Sequence, residues 1–304
     1  MRAFVLSGGS NRGPLQVGAL GALLEAGIRP SFLVGTSVGG INAAYVSASG
    51  FSEATLNNLA NHWREVTTKT IYPGNLATVA WRVLRKKDSL YDNAGIRRLI
   101  QDGLREGMTS FGQLRIPLFV PAADLRSNRL FMFGEDLNMP VEDAVLASAS
   151  VPVIHPPVRF MGLQLVDGGI LANVAASYAM DRGATEIYVI NVSKAEQEPS
   201  YAEGVIEVAF RSVNTMIVQA LRRDLARARD NEEVDLHHLY ISDFNDVWFQ
   251  DFSHTEEMFA AGYRAMKRYL DAPRPLGIFP DDDFWQPADG PEVRSLRELP
   301  AIGR

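Results

Sequence analysis

Apolar residues along the chain fall in short blocks, separated by glycine, proline and polar clusters. Residues 3–6 form the first block and predict a strand, followed by the polar, glycine-rich stretch 7–13. Pro14 stands where a first helical residue would, because its missing N–H is of no consequence there. Leu15, Val17, Ala19, Leu20, Leu23 and Leu24 continue an apolar helix that Gly27 ends. Phe32, Leu33 and Val34 read as a second buried strand, and a helix opens just past Ser37 with Ile41 to Tyr45. This alternation implies a largely parallel sheet covered by helices.

Farther on, Leu56, Leu59, Trp63 and Val66 share one face of a helix over 52–66. Residues 67–92 are less regular, and within them 79–87 is both apolar and cationic. Its plainer reading is a surface helix with a solvated basic end; its sharper one is a cap over the site that touches a lipid or membrane interface. Asp92 can cap a helix carrying Ile96, Leu99, Ile100 and Leu104. Residues 116–122 predict a strand, 126–128 a turn into a strand at 130–133, and Pro140 the start of a helix through Ala147. The prolines of 151–157 call for an extended segment. A strand at 163–166 stops at Asp167-Gly168-Gly169. A helix over 173–182 precedes the clearest buried strand, 186–192. A polar link (193–200), a long helix with Ile206, Phe210, Val213, Ile217, Leu221 and Leu225 on one face, a strand (236–241) and a helix (253–270) follow. From 271 the composition turns to Pro, Asp and Gly, an irregular tail over 271–304. The pattern predicts one α/β domain, a mainly parallel sheet sandwiched by helices in three layers.

The chain has 304 residues, a formal net charge of −6 and no cysteine. An acidic chain is a poor partner for nucleic acid, which wants a basic surface. Lack of cysteine removes disulfides, thiolate nucleophiles and cysteine-bound zinc. The first apolar block is too short for a signal-peptide core, and no run approaches the length of a membrane span. A cytoplasmic protein is expected, its oligomeric state open.

Candidate chemistry sits in three loops, each after a predicted strand, where open parallel sheets assemble their sites. Gly35-Thr36-Ser37-Val38-Gly39 is Gly-x-Ser-x-Gly between strand and helix, a turn tight enough that its flanks need residues without Cβ. Its serine projects at the positive end of the next helix. Gly8-Gly9-Ser10-Asn11-Arg12-Gly13 precedes a helix N-terminus; it matches no nucleotide-binding pattern and suits an oxyanion hole better. The third loop is Asp167 with two glycines behind it, which alone could be only a turn cap.

These three motifs, in this order, resemble the signatures of the patatin-like phospholipases. Residues 147–152 with Pro156-Pro157, and Asp251-Phe252-Ser253-His254-Thr255, resemble that family too. The likeness covers residues 1–200 as a catalytic region, with 201–270 completing the same domain. It implies a Ser37–Asp167 dyad that cleaves fatty-acyl or phospholipid esters, with the amides of Gly8, Gly9 and Ser10 around the oxyanion. It implies supporting roles for Arg12, Gly13, Gly35, Gly39, Gly168 and Gly169; no metal or organic cofactor is expected, and transient membrane-surface contact is the sharper reading of 79–87. Ser10 stands where the family usually has glycine, and is strained if its φ is positive. Alternatives are a Ser-Asp-His triad completed by His237, His238 or His254, acyl transfer to an alcohol, and a non-catalytic lipid-binding module.

Overall fold

The computed structural model describes residues 1–74, 76–104, 107–194 and 201–272. Strand β1 (Arg2–Leu6) lies at its centre. Its Phe4 and Leu6 face one apolar layer and its Ala3 and Val5 another, as the two-residue period of a strand requires. A strand buried on both faces reads as a continuous apolar run, which is why 3–6 was legible.

After β1 come α1 (Gly13–Glu25), β2 (Phe32–Gly35), α2 (Val38–Ser49), α3 (Glu53–Glu65), α4 (Thr68–Ile71), α5 (Leu76–Leu84) and α6 (Ala94–Gly103). Next are β3 (Leu118–Asp124), β4 (Arg129–Phe133), α7 (Val141–Ser148), β5 (Val158–Phe160), β6 (Leu163–Asp167), α8 (Gly169–Ala172) and α9 (Ala176–Asp181). The chain continues with β7 (Glu186–Asn191), α10 (Val205–Arg229), β8 (Asp235–Tyr240) and α11 (Thr255–Asp271). Leu15 and Leu20 of α1, Trp63 of α3 and Met266 of α11 fill the layer under Phe4; Ala176 of α9 and Leu221 and Leu225 of α10 fill the layer under Val5. The result is three layers, helix–sheet–helix.

Hydrogen-bonded neighbours link the described strands as β5-β6-β3-β2-β1-β7-β8, with β4 also on β3. Strands β3, β2, β1, β7 and β8 are parallel, while β4, β5 and β6 add antiparallel pairs. The sheet is therefore mixed, parallel through its centre and antiparallel at one margin. Links as short as 125–128 and 161–162 permit only hairpins.

One consequence of register builds the site. Pro117 O accepts from Leu33 N, and Leu125 N donates to Gln164 O, each at 2.9 Å. Residues an even number apart in a strand offer backbone groups to the same edge, so β2 and β6 lie end to end along one edge of β3. Val34 of β2 pairs with Phe119 and Asp167 of β6 with Ala122. The two strands run toward each other, and their C-terminal ends converge.

Some expectations change. The helix expected over 173–182 is shorter, Ala176–Asp181, and begins after Ala175 at φ 51°, with the one-turn α8 ahead of it at Gly169–Ala172. Residues 151–157 turn instead of extending, with His155 N bonded to Val151 O at 2.9 Å and Val153 at φ 73°. Residues 67–92 hold α4 and α5. The strand at 116–122 lies two residues later. The N-cap position is Asn93, and Asp92, one residue ahead of it, accepts from Ala94 N through Oδ1 at 3.0 Å. Residues 195–200 of the polar link and 273–304 of the tail lie outside the described residues. Among the described residues no helix is long and apolar enough to cross a membrane.

Candidate active site

Ser37 sits between β2 and α2 at φ 54°, ψ −124°, a region L-residues seldom occupy. The surroundings hold it there. Its N–H donates to Ser148 Oγ of α7 at 2.9 Å, and Gly39 N closes the turn onto Thr36 O at 2.8 Å. The Thr36 hydroxyl donates to Ala172 O at 3.0 Å. A Cβ on Gly39 would fall 2.3 Å from Leu6 O, so the elbow touches the end of β1 and glycine is required. Ser37 is buried, only 8% exposed.

Asp167 ends β6, its N–H donating to Ser150 O at 2.9 Å. Its carboxyl is buried and Oδ1 accepts from Gly169 N at 2.7 Å. Burial pushes the carboxyl up to about 6, against the opposing pull of the Ser37 side chain and the Gly169 amide. The structure thus brings Ser37 and Asp167 together from opposite directions along β3. Gly168 lets the chain pass Pro121 O, which a Cβ would approach to 2.3 Å.

The glycine loop lies beside them, and here one expectation is corrected. Gly8 N–H donates to Asn173, to Oδ1 at 3.1 Å and to the carbonyl O at 3.3 Å, and is not open to an incoming oxygen. The amides of Gly9 and Ser10 have no such acceptor among the described residues. Ser10 has φ 56°, the strained case anticipated above. Its hydroxyl donates toward Phe249 O at 3.5 Å and meets the Tyr72 side chain. Arg12 is buried; Nε donates to Gly9 O at 3.2 Å and Nη1 to Asn245 Oδ1 at 2.9 Å. Desolvation draws its guanidinium down to about 10. Gly13 packs against Trp63 and Val38, and Gly35 against Gly39 and Ala43.

Polar residues that sequence reasoning passed over brace these loops. Gln16 Nε2 donates to Ser7 O at 2.8 Å, and Asn42 Nδ2 to Gly13 O at 3.0 Å; Trp63 Nε1 donates to Asn42 Oδ1 at 2.9 Å. Asn11 Nδ2 reaches Trp248 O at 3.0 Å and Asp251 O at 2.6 Å. Their signal was available: Gln16, Asn42 and Asn173 are polar positions inside apolar helical stretches, where buried polar groups need partners.

Among the described residues no histidine joins the pair, and the groups that bond the Asp167 carboxyl are Ser37 and Gly169. His237 stacks on Tyr188 at 4.2 Å and contacts Tyr269 OH at 3.0 Å, His238 contacts Asn191 at 3.2 Å, and His254 lies 3.8 Å from Asp251. His237 and His238 are on β8, which β7 and β1 separate from β2, about 14 Å at normal strand spacing. No His/Asp/Glu cluster suited to a metal occurs among the described residues.

A family profile described as patatin-like phospholipase matches residues 4–180, more than half of the chain and all three loops. The chain belongs to the patatin-like phospholipase family. Similar proteins include the uncharacterized protein YqhO of Bacillus subtilis, 30% identical over 188 residues, 56% of this chain and 63% of that one. Patatin-like phospholipase domain-containing protein 6 of Mus musculus is 28% identical over 197 residues, 64% of this chain and 14% of that one. Lysophospholipase NTE1 of Scheffersomyces stipitis is 27% identical over 199 residues, 63% of this chain and 12% of that one. The chain thus spans less than two thirds of the length of each of these relatives. Among solved structures, VipD from Legionella pneumophila aligns with a TM-score of 0.46 and 15% identity over 89% of this chain and 66% of that one. The patatin-like match includes Gly8, Ser37 and Asp167, whereas α10, β8, the 245–252 segment and α11 lie beyond it.

Proposed function

We propose that the protein is a serine lipid acyl hydrolase that cleaves fatty-acyl esters through an acyl-Ser37 intermediate. The observation that carries this reading is a buried serine held at a strained elbow beside a buried aspartate whose carboxyl is raised toward neutrality. The Asp167 carboxylate takes the hydroxyl proton as Ser37 Oγ attacks the ester carbonyl. The resulting oxyanion is held by the amides of Gly9 and Ser10, at the mouth of the one-turn helix Ser10–Arg12. Arg12 supports that loop from beneath through the Gly9 carbonyl. As the tetrahedral adduct collapses, the C–O bond to the alcohol breaks and Asp167 returns its proton to the leaving oxygen. Water then adds to the acyl-enzyme by the same route, releasing the fatty acid and regenerating Ser37.

Esters suit this pair better than amides, because an alkoxide leaves with less protonation than an amine. The family match and the lysophospholipase among the relatives support a lipid ester. The test is hydrolysis of p-nitrophenyl esters from acetate to palmitate, beside Ser37→Ala. Turnover that needs Ser37 and rises with acyl length is expected. Turnover surviving Ser37→Ala refutes the mechanism, and activity confined to acetate refutes the lipid substrate.

A further inference from the structure

The hairpins β3–β4 and β5–β6 end side by side. Arg126 Nη1 donates to Gly162 O at 2.5 Å and Leu125 N to Gln164 O at 2.9 Å, so the turns 125–128 and 161–162 make one blunt tip. Register fixes where that tip stands. Asp167 pairs with Ala122, and β3 continues toward Leu125, three residues and about 10 Å beyond the site. It does so in the direction in which β1 and β2 open into the glycine loop and the elbow.

The tip is apolar and cationic. Leu125, Leu130 and Met161 are 46%, 40% and 75% exposed, and Met161 turns outward at φ 46°. Arg126, Arg129 and Arg159 are exposed around them, and no ion pair among the described residues engages any of the three. Residues 125–134 and 156–166 contain no Asp or Glu, in a chain of net charge −6. The neighbouring Asp124 is buried, its carboxylate accepting from Ser127 Oγ at 2.6 Å and Gln164 N at 3.0 Å. Apolar side chains ringed by arginines that have no acidic partner among the described residues match a layer that is anionic outside and hydrocarbon beneath.

We propose that this twin-hairpin tip docks the protein on an anionic lipid surface and sets the mouth of the Ser37 site against it. The inference rests on the lipid-ester reading above. Helix α5 offers similar residues, the exposed Trp81 and Leu84, but two of its cations are engaged, where among the described residues of the tip only Arg126 is, through Gly162 O. Arg82 donates to Ser89 O and Tyr91 O, and Arg85 lies over the Trp81 ring at 5.3 Å.

The experiment is co-sedimentation with phosphatidylcholine vesicles, with and without phosphatidylglycerol, alongside turnover of soluble p-nitrophenyl butyrate. The parent is expected to bind only vesicles containing phosphatidylglycerol, less so as salt rises. Each basic side chain near an anionic surface raises partitioning about fivefold, so the triple variant Arg126→Gln/Arg129→Gln/Arg159→Gln is expected to bind about 10²-fold more weakly. Its soluble-ester turnover is expected to stay at the parent level. Leu125→Ser/Met161→Ser, with all three arginines kept, is expected to weaken binding as well. The proposal is overturned if the parent ignores anionic vesicles at low salt or if the triple variant binds like the parent. It is also overturned if Arg85→Gln/Lys86→Gln/Lys87→Gln is the change that abolishes binding, or if the tip proves instead to join two copies in solution. Vesicle binding by a parent inert on every ester would sink the catalytic reading and leave the docking surface standing.

Discussion

Replacing Asp167 by Asn is expected to abolish turnover and to stabilise the fold at neutral pH. The carboxyl moves from 3.8 to about 6 because burial penalises its ionised form. That is roughly two pKa units at about 1.4 kcal/mol each, or roughly 3 kcal/mol. The sign follows from proton counts. Between about pH 4 and 6 the unfolded chain has released this proton and the folded chain still holds it, so stability falls as pH rises through that window. Above about 6 the loss is complete. Asn cannot ionise, keeps the shape, and its carbonyl oxygen can still accept from Gly169 N. Urea unfolding of parent and variant is therefore expected to show a gap that opens between about pH 4 and 6, levels off above, and favours the variant by up to roughly 3 kcal/mol. In the parent, kcat/KM is expected to climb through about pH 6 as the base ionises. A stability gap that stays flat from pH 4 to 8 refutes the claim that burial raises this carboxyl, and removes the physical basis for its role as base.

The remaining expectations concern the surrounding machinery. Ser37→Ala/Asp167→Asn is expected to be scarcely slower than either single variant, because the two act as one unit; rates that multiply would break the pairing. Asn173→Ala removes the side-chain acceptor of Gly8 N–H, which is expected to lower stability by about 1 kcal/mol and kcat about tenfold with little change in KM; an effect on KM alone would place Asn173 in substrate binding. Gly39→Ala drives a Cβ to within 2.3 Å of Leu6 O and is expected to lose both thermal stability and turnover, seen in a lowered Tm. Ser10→Gly relieves a φ of 56° and keeps the amide, so turnover within a few-fold of the parent is expected; a loss of about 10² would show that the Ser10 hydroxyl, with Tyr72, takes part.

What the sequence announced was mostly what strong local physics decides. Strands buried on both faces, such as Phe4 to Leu6 and Ile187 to Ile190, carry continuous apolar runs that no surface element would. The elbow was legible because glycine at 35 and 39 and serine at 37 answer to a backbone geometry. Long-range contacts were not. Nothing in a local window tells that Asn173 folds back onto Gly8, or that Ser148 of α7 receives the Ser37 amide. The sense of β5 and β6 follows from hairpin lengths hidden by the prolines of 151–157, which suggested extension where the chain turns. Ser10 was recognised as a departure, but the direction of its side chain depends on Tyr72 and Phe249, brought from far along the chain.

The central claim is covalent, so it is tested most directly by mass. Incubation with a long-chain alkyl fluorophosphonate, followed by proteolysis and mass spectrometry, is predicted to place one adduct on Ser37, with turnover lost in step with labelling and no adduct in Ser37→Ala. Labelling of another residue, or full labelling of Ser37 with turnover intact, would contradict it.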